Sequence, residues 1–362
     1  MPRRADVVVV GAGIAGSAAA RSLARRGADV VLVEQYDLFN AKGSSHGGAR
    51  IFRFAYPDPF YVSLARRALD AWRALEAEAG EALIDVTGGV DHGDEAQVRA
   101  VSSALAAAGC DHELLDPAAA EARYPGLRFE GIVCAARDTG RIRAERAWRA
   151  LLDGARRSGA EIEPATPVRR LTPRGDRVEV HLDGRTIDAA CVVVAAGAWV
   201  GSLLGDLVRL PPLELSEEHV FHFSPIAQDT TGWPSFIHYR DPYPAYGLLT
   251  PGEGVKVGEH HAGRVIDHPD RRTAGLDPVR RAAALRYVER WIPGVEPHPV
   301  TETTCLYTTT PNDDFVLDRR GPIVVASPCS GHGFKFAPLV GELVADLVDG
   351  AGPAHVRFSL PS

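Results

Sequence analysis

The sequence predicts an α/β protein of two lobes. One is a nucleotide-binding domain on a parallel sheet, assembled from discontinuous segments; the other carries a mostly antiparallel sheet. Three observations carry this. A valine-rich run at residues 5–10 opens directly into Gly11-Ala12-Gly13-Ile14-Ala15-Gly16. A second glycine turn, Cys329-Ser330-Gly331-His332-Gly333-Phe334-Lys335, follows the apolar run 322–326 near the opposite end. Between them, residues 210–300 rise in Pro, His, Tyr and Trp and contain alternating, strand-like stretches.

Residues 5–10 have the unbroken apolar character of a buried parallel strand. In the turn after it, Gly11 permits a tight bend and Gly13 lets a pyrophosphate approach the backbone. Gly16 allows close packing of helix on strand. Residues 12–26 read as a helix stopped at Gly27, with its free N-terminal N–H groups facing the phosphate. Residues 29–33 form a second strand, and Glu34 at its end is placed to accept hydrogen bonds from a ribose. This strand–helix–strand context makes the glycine spacing informative. Residues 39–46 are a polar, glycine-rich loop. Asp58 and Pro59 then start a long helix, as N-cap and first-turn residue, with Tyr61, Leu64, Ala68, Trp72 and Leu75 on one face.

Further helices are expected at 95–108 and 144–157, and strands near 160–170, 177–182 and 186–194. The last runs into Ala196-Gly197-Ala198-Trp199, a small-residue turn that fits either a plain strand-to-helix connection or the return of a closing strand beside a nucleotide. Strands at 218–224, 246–250 and 254–259 build the antiparallel lobe, and a helix at 278–291 leads out of it. A strand at 322–326 and a helix at 338–348 complete the nucleotide domain. That domain is assigned residues 1–82, 141–210 and 301–362; the substrate lobe takes 83–140 and 211–300.

At 362 residues the chain can hold two packed lobes. A formal net charge of -7, without any strongly basic stretch, argues against nucleic acid as a partner. No apolar segment approaches the roughly 18 residues that span a bilayer. Arg3 and Arg4 ahead of an apolar run mimic a signal peptide, but Asp6 interrupts it and the strand–turn–helix reading fits better. Cys110, Cys134, Cys191, Cys305 and Cys329 are odd in number and include no C-x-x-C pair, which disfavours a disulfide framework or a metal site. A cytoplasmic protein follows. Without coiled-coil heptads, a monomer or weak homodimer is expected.

Four more pieces occur in order: G-S-S-H-G-G-A-R-I-F-R from Gly43 to Arg53, G-V-K-V-G-E-H from Gly254 to His260, C-L-Y-T from Cys305 to Thr308, and S-G-H-G-F-K from Ser330 to Lys335. On these the chain resembles, nearly end to end, the monomeric sarcosine oxidase family. That family includes N-methyltryptophan and pipecolate oxidases, FAD enzymes that oxidise secondary amino acids. The resemblance implies a Rossmann-like FAD-binding domain and a flavin bonded through its 8α carbon to the sulfur of Cys305. Nearby cations would assist by lowering the thiol pKa. Arg53 and Lys335 are implied to clamp the substrate carboxylate, a planar guanidinium with a second point charge. Arg50 would lie against the flavin ring, and Lys256 over it, where an ammonium promotes reaction with oxygen.

His260, Tyr246 and Tyr307 match positions lining the substrate cavity, where they can orient the amine or favour its neutral form. His46 and His332 support the loops around the flavin. Cofactor contacts are further implied for Gly11, Gly13, Ile14, Ala15 and Gly16; for Glu34, Gln35, Gly43, Ser44 and Ser45; for Val168, Ala196, Gly197 and Trp199; and for Gly331, Gly333 and Phe334. Asp58 matches an acidic family position, but its N-cap role accounts for it.

The implied reaction moves a hydride from the C–H beside nitrogen to flavin N5, leaving an imine, and reoxidation by O2 gives hydrogen peroxide. No metal is required. Two alternatives stay open: a flavin dehydrogenase or imine-forming biosynthetic enzyme using another acceptor, and a non-enzymatic nucleotide-binding protein. A nicotinamide-dependent reductase would need a second fingerprint, which the sequence lacks. Departures from the family pattern fall where substrates are chosen: Ala49 before Arg50, Glu259 before His260, and the segment Phe221–Tyr246 with Trp233, His238, Tyr239 and Tyr243.

Overall fold

The computed structural model describes residues 3–273, 275, 277–350 and 355–361. Its nucleotide sheet has five parallel strands, in the order Ile323–Ser327, Arg185–Val194, Arg3–Val10, Val30–Val33 and Glu161–Glu163. The hairpin Arg170–Arg174 and Arg177–Leu182 pairs with the first half of Arg185–Val194, and Val316–Arg320 pairs antiparallel with Ile323–Ser327. Both faces of the central strands are covered, which is why their valines run unbroken. Val7, Val9, Val30 and Leu32 pack under the helices Ile14–Arg25, Ala144–Arg157 and Ala337–Val348. Val8, Val10, Val31 and Val33 pack against the hairpin residues Leu171, Val178 and Val180 on the other side.

The second sheet is antiparallel apart from one pair. Its order is Val295–Thr309, Glu214–Pro225, Gly254–Glu259, Ala245–Thr250, Ser235–Tyr239, Gly89–Gly93, Val133–Ala136 and His112–Leu115. Ser235–Tyr239 and Gly89–Gly93 are the parallel pair. A small sheet of Ala49–Phe52, Gly140–Arg143 and Ile84–Val86 joins segments that the sequence divided between lobes. The boundary drawn between residues 300 and 301 falls inside Val295–Thr309. That strand pairs with Glu214–Pro225 along its length, so the chain re-enters the nucleotide sheet only at Val316. Among the described residues no helix is long and apolar enough to cross a membrane.

The first turn of the fold has no spare room. Gly13, with extended backbone, is the N-cap of Ile14–Arg25, so the helix starts two residues later than its sequence pattern predicts. Gly11 has φ +100° and lies against Ala195 O, 2.6 Å from where a β carbon would sit. A β carbon on Gly16 would lie 1.8 Å from Gly11 O, so helix and strand touch backbone to backbone. Asp58 caps Pro59–Ala79 as expected, accepting from Phe60 N at 2.9 Å, and that helix buries Trp72 and Leu75.

Gly16→Ala must push the helix off the strand, and is expected to lower unfolding free energy by about 3 kcal/mol. Gly201→Ala, where a β carbon meets nothing within 4 Å, is the control. It is expected to stay within about 0.5 kcal/mol of the parent in the same denaturant titration.

Candidate active site

A cavity of about 960 Å³ lies where the carboxyl ends of the parallel strands meet one face of the antiparallel sheet. That is the edge at which open α/β sheets take ligands, and the volume is at the upper end of the roughly 300–1,000 Å³ usual for such sites. Every candidate site residue lines it except Gly16, which stands behind Gly11.

One end is built by the first glycine turn. Glu34 Oε2 accepts from Ala12 N at 2.8 Å and Oε1 from Tyr36 N at 3.0 Å, which fixes the loop against the second strand. Burial pushes the Glu34 carboxyl above its usual range. Ser45 Oγ accepts from Ile14 N at 3.0 Å and sits 3.2 Å from where a β carbon on Gly13 would be. The cradle closes around bare backbone, and Gln35, Val168 and Trp199 line the wall beyond Glu34. These residues fit the adenosine and pyrophosphate of FAD.

The other end is set by strand register. Residues opposite one another in an antiparallel pair share a face. Cys305 pairs with Glu218, and Thr303 with Val220, which pairs with Gly258 and in turn Tyr246. Thr301 pairs with His222, which pairs with Lys256 and then Leu248. Tyr307, Cys305, Lys256 and Tyr246 thus share one wall. Four basic groups converge here. Arg50 donates to the carbonyl oxygens of Ala49, Ser44 and His46, with its guanidinium 5.3 Å from the Phe334 ring centroid. Arg53 Nη1 donates to Asp91 Oδ1 at 2.9 Å, and the guanidinium lies 4.8 Å over the Tyr56 ring. Lys335 Nζ donates to Tyr56 Oη and to His332 O, both at 2.8 Å. Among the described residues Lys256 Nζ has only a long contact, 3.5 Å, to Ala49 O.

Electrostatics follow from that crowding. Burial, then Arg50, pulls Lys256 down to about 7. Burial and Arg53 hold Lys335 well below the ordinary lysine range. His46 and His332 fall to about 3, each through burial first and neighbouring cations second; His260 is likewise held well below the usual value. All three rings are neutral at pH 7. His260 Nδ1 lies 3.3 Å from Tyr307 Oη, and burial keeps the Tyr246 and Tyr307 phenols protonated. One sequence expectation is reversed: the Cys305 thiol is pushed up, because burial outweighs the opposing pull of Arg50 and Lys256.

Several residues of the site escaped sequence reading. Tyr56 joins the two halves of the proposed clamp. Asp91, only 3% exposed, anchors Arg53 and accepts from Tyr239 Oη at 3.2 Å; burial raises its carboxyl to about 6 against the pull of Arg53. A lone carboxylate in G-G-V-D-H-G was the available signal. Lysine usage was another: of 40 basic residues three are lysine, Lys42, Lys256 and Lys335, and two of the three line this cavity. In the segment Phe221–Tyr246, Tyr239 lines the cavity, while Trp233 and His238 are buried in the lobe core. Glu259 turns instead to Arg240 (2.5 Å) and Arg280 (3.6 Å).

A glycine fingerprint at a parallel sheet edge, facing an antiparallel wall of basic groups and a thiol, defines the class: an FAD-dependent oxidoreductase. The family model described as FAD dependent oxidoreductase matches residues 6–347, and the chain belongs to that family. It is 32% identical over 358 residues to the peroxisomal sarcosine oxidase of Homo sapiens, covering 94% of this chain and 91% of the human protein. Against the monomeric sarcosine oxidase of Streptomyces avermitilis the identity is 33% over 369 residues, with 97% and 95% covered. The solved structure of NikD, described as an unusual amino acid oxidase essential for nikkomycin biosynthesis, matches with a TM-score of 0.90 at 28% identity. It covers 99% of this chain and 98% of NikD. The chain is an FAD-dependent amine oxidase.

The depressed Lys256 has a signed consequence for stability. Unfolded, a lysine titrates near 10.4; folded, this one does so at about 7. Between those values the unfolded chain holds the extra proton, so this residue's contribution improves as pH rises and is worst below pH 7. Lys256→Met is expected to raise stability by a few kcal/mol at pH 6–7, the gain shrinking toward zero near pH 10. Melting temperatures of both proteins across that range measure it.

Proposed function

We propose that this chain oxidises secondary amino acids, N-methyl or cyclic, with dioxygen as electron acceptor and hydrogen peroxide as product. The observation that carries the reading is the meeting of Arg53 and Lys335, 282 positions apart in the chain, around the single ring of Tyr56. Two buried cations, of which Arg53 has the carboxylate of Asp91 and Lys335 is held by Tyr56 Oη and His332 O, favour a ligand that brings an anion of its own.

Bound FAD would supply the hydride acceptor and the electrons for dioxygen. The chain's own residues do the rest. Arg53 and Lys335 hold the carboxylate and so fix which C–H bond is presented. His260, neutral, can accept a hydrogen bond from the amine, while the Tyr246 and Tyr307 hydroxyls remain donors. Loss of a hydride and a proton leaves the substrate an imine. Lys256, near half-protonated at neutral pH, presents an ammonium where negative charge would develop on oxygen. Cys305, beside Arg50 and Lys256 on the same wall, is the residue we assign to covalent attachment of the flavin. The lobe of residues 83–140 and from 211 through the end of Val295–Thr309 would supply the substrate-facing wall. Five free thiols suit a reducing compartment, and we place the protein in the cytoplasm as a monomer or weak homodimer.

Anaerobic mixing with N-methyl, cyclic and primary amino acids, and with the matching amines lacking a carboxylate, tests the reading. Loss of flavin absorbance is expected with secondary amino acids and not with the plain amines. Bleaching by both groups alike would remove the clamp. Arg53→Met is expected to raise the substrate KM roughly 10- to 100-fold, as for a lost charge-assisted pair. Acid-precipitated parent should stay yellow, while Cys305→Ser should release its flavin to the supernatant.

A further inference from the structure

The cross-strand row through Lys256 continues outward. His222, opposite Lys256 on the neighbouring strand, is 4% exposed and lines the cavity, and neither of its ring nitrogens has a hydrogen-bond partner among the described residues. Its Nε2 lies 3.3 Å from Glu253 Oε2, within ion-pair distance though not aligned for a hydrogen bond. Glu253 sits in the turn before Gly254–Glu259, with N donating to Thr250 O at 3.0 Å. Its other carboxylate oxygen rests against Gly48, 2.4 Å from where a β carbon would be. Gly48 precedes Ala49, whose carbonyl receives Lys256 Nζ. The acid therefore touches His222, on the strand beside Lys256, and Gly48, the residue before the carbonyl that receives Lys256 Nζ.

We infer that Glu253, reaching Lys256 across His222, is the counter-charge that keeps Lys256 an ammonium group inside the cavity, and so a positioning residue for the chemistry of that lysine. The other groups facing Lys256 do not serve. Arg50, from Ala49–Phe52, opposes its charge; His46 and His222 are held neutral at about 3 and about 4 by burial and by the cations. Cys305, from Val295–Thr309, favours the ammonium only as a thiolate, and its thiol is pushed up. The side chain of Glu253 is 40% exposed, so solvent screens it and the effect is moderate rather than large.

The catalytic consequence rests on the oxygen role proposed above for Lys256; the charge assignment does not. With only three lysines, holoenzyme grown on ε-13C-lysine gives three side-chain signals, which Lys42→Arg and Lys256→Met assign. The Lys256 signal is expected to titrate at lower pH in Glu253→Gln, by about half a unit, and lower again in Glu253→Arg. A merely structural role for Glu253 would not order the three proteins by charge. An unmoved midpoint in both variants, with flavin spectrum and melting temperature retained, overturns the inference. In stopped-flow reoxidation the alkaline limb of the oxygen-dependent step is expected to move down with the midpoint. If the lysine signal shifts and that limb does not, Glu253 stands as the counter-charge and the oxygen role of Lys256 falls.

Discussion

Positive charge that is buried and only partly neutralised governs this molecule. Arg50, Arg53, Lys256 and Lys335 all face one cavity, and taking an ion out of water costs several kcal/mol even after relaxation. Asp91 meets Arg53 directly. The others rest largely on carbonyl oxygens: Ser44, Ala49 and His46 for Arg50, Ala49 for Lys256, His332 for Lys335. Carbonyls orient a cation without cancelling it. The remaining imbalance shows in the residues that can respond, since both lysines lose affinity for their protons and the nearby histidines stay neutral. Such a cavity favours whatever brings negative charge into it, whether a carboxylate or electrons arriving on a bound ring.

The two sheets divide the work of building it. The parallel sheet supplies tight glycine turns at its carboxyl edge, where backbone rather than side chains approaches the ligand. The antiparallel sheet supplies a flat wall on which pairing register, not sequence proximity, decides neighbours. Lys256 and Cys305 are 49 positions apart in the chain yet act on each other electrostatically. The second glycine turn closes the remaining side: Gly331, with φ +74°, passes so close to Tyr307 that a β carbon would lie 2.4 Å from its ring. Lys335, four residues on, lines the cavity from this side.

What the sequence disclosed was local. Gly11, Gly13 and Gly16, the Asp58 cap and the helical face of Tyr61 to Leu75 each depend on residues a few positions apart, and the structure shows them so. Asp91, Tyr56, His222 and Glu253 were not legible, because each acquires its meaning from a strand or turn distant in sequence. The strand Val295–Thr309 was cut at residue 300 for the same reason, since only its partner Glu214–Pro225 reveals its length. The direction of the Cys305 thiol shift was missed for another reason. Its cationic neighbours were anticipated, but the sign of the thiol shift depends on how deeply the strand is buried, which no pattern of residues encodes.

The cavity also has apolar lining interleaved with its charged groups. Ile51, Ile237, Leu248, Tyr239 and Tyr246 line it, and Glu259, the acid nearest His260 in sequence, is drawn off by Arg240 and Arg280. An apolar wall discriminates weakly, roughly 10- to 200-fold per methylene, whereas a site that holds a charge rejects analogues lacking the matching group far more strongly. On the proposed reading, the clamp would select the carboxylate of an amino acid and the apolar lining only its size. Exchanging wall residues such as Leu248 or Ile237 would retune size, from positions paired across strands with Lys256 and Asp91. The cationic end cannot be retuned in the same way. Each of its charges is positioned by at least one other chain segment, so altering one changes the protonation of its neighbours.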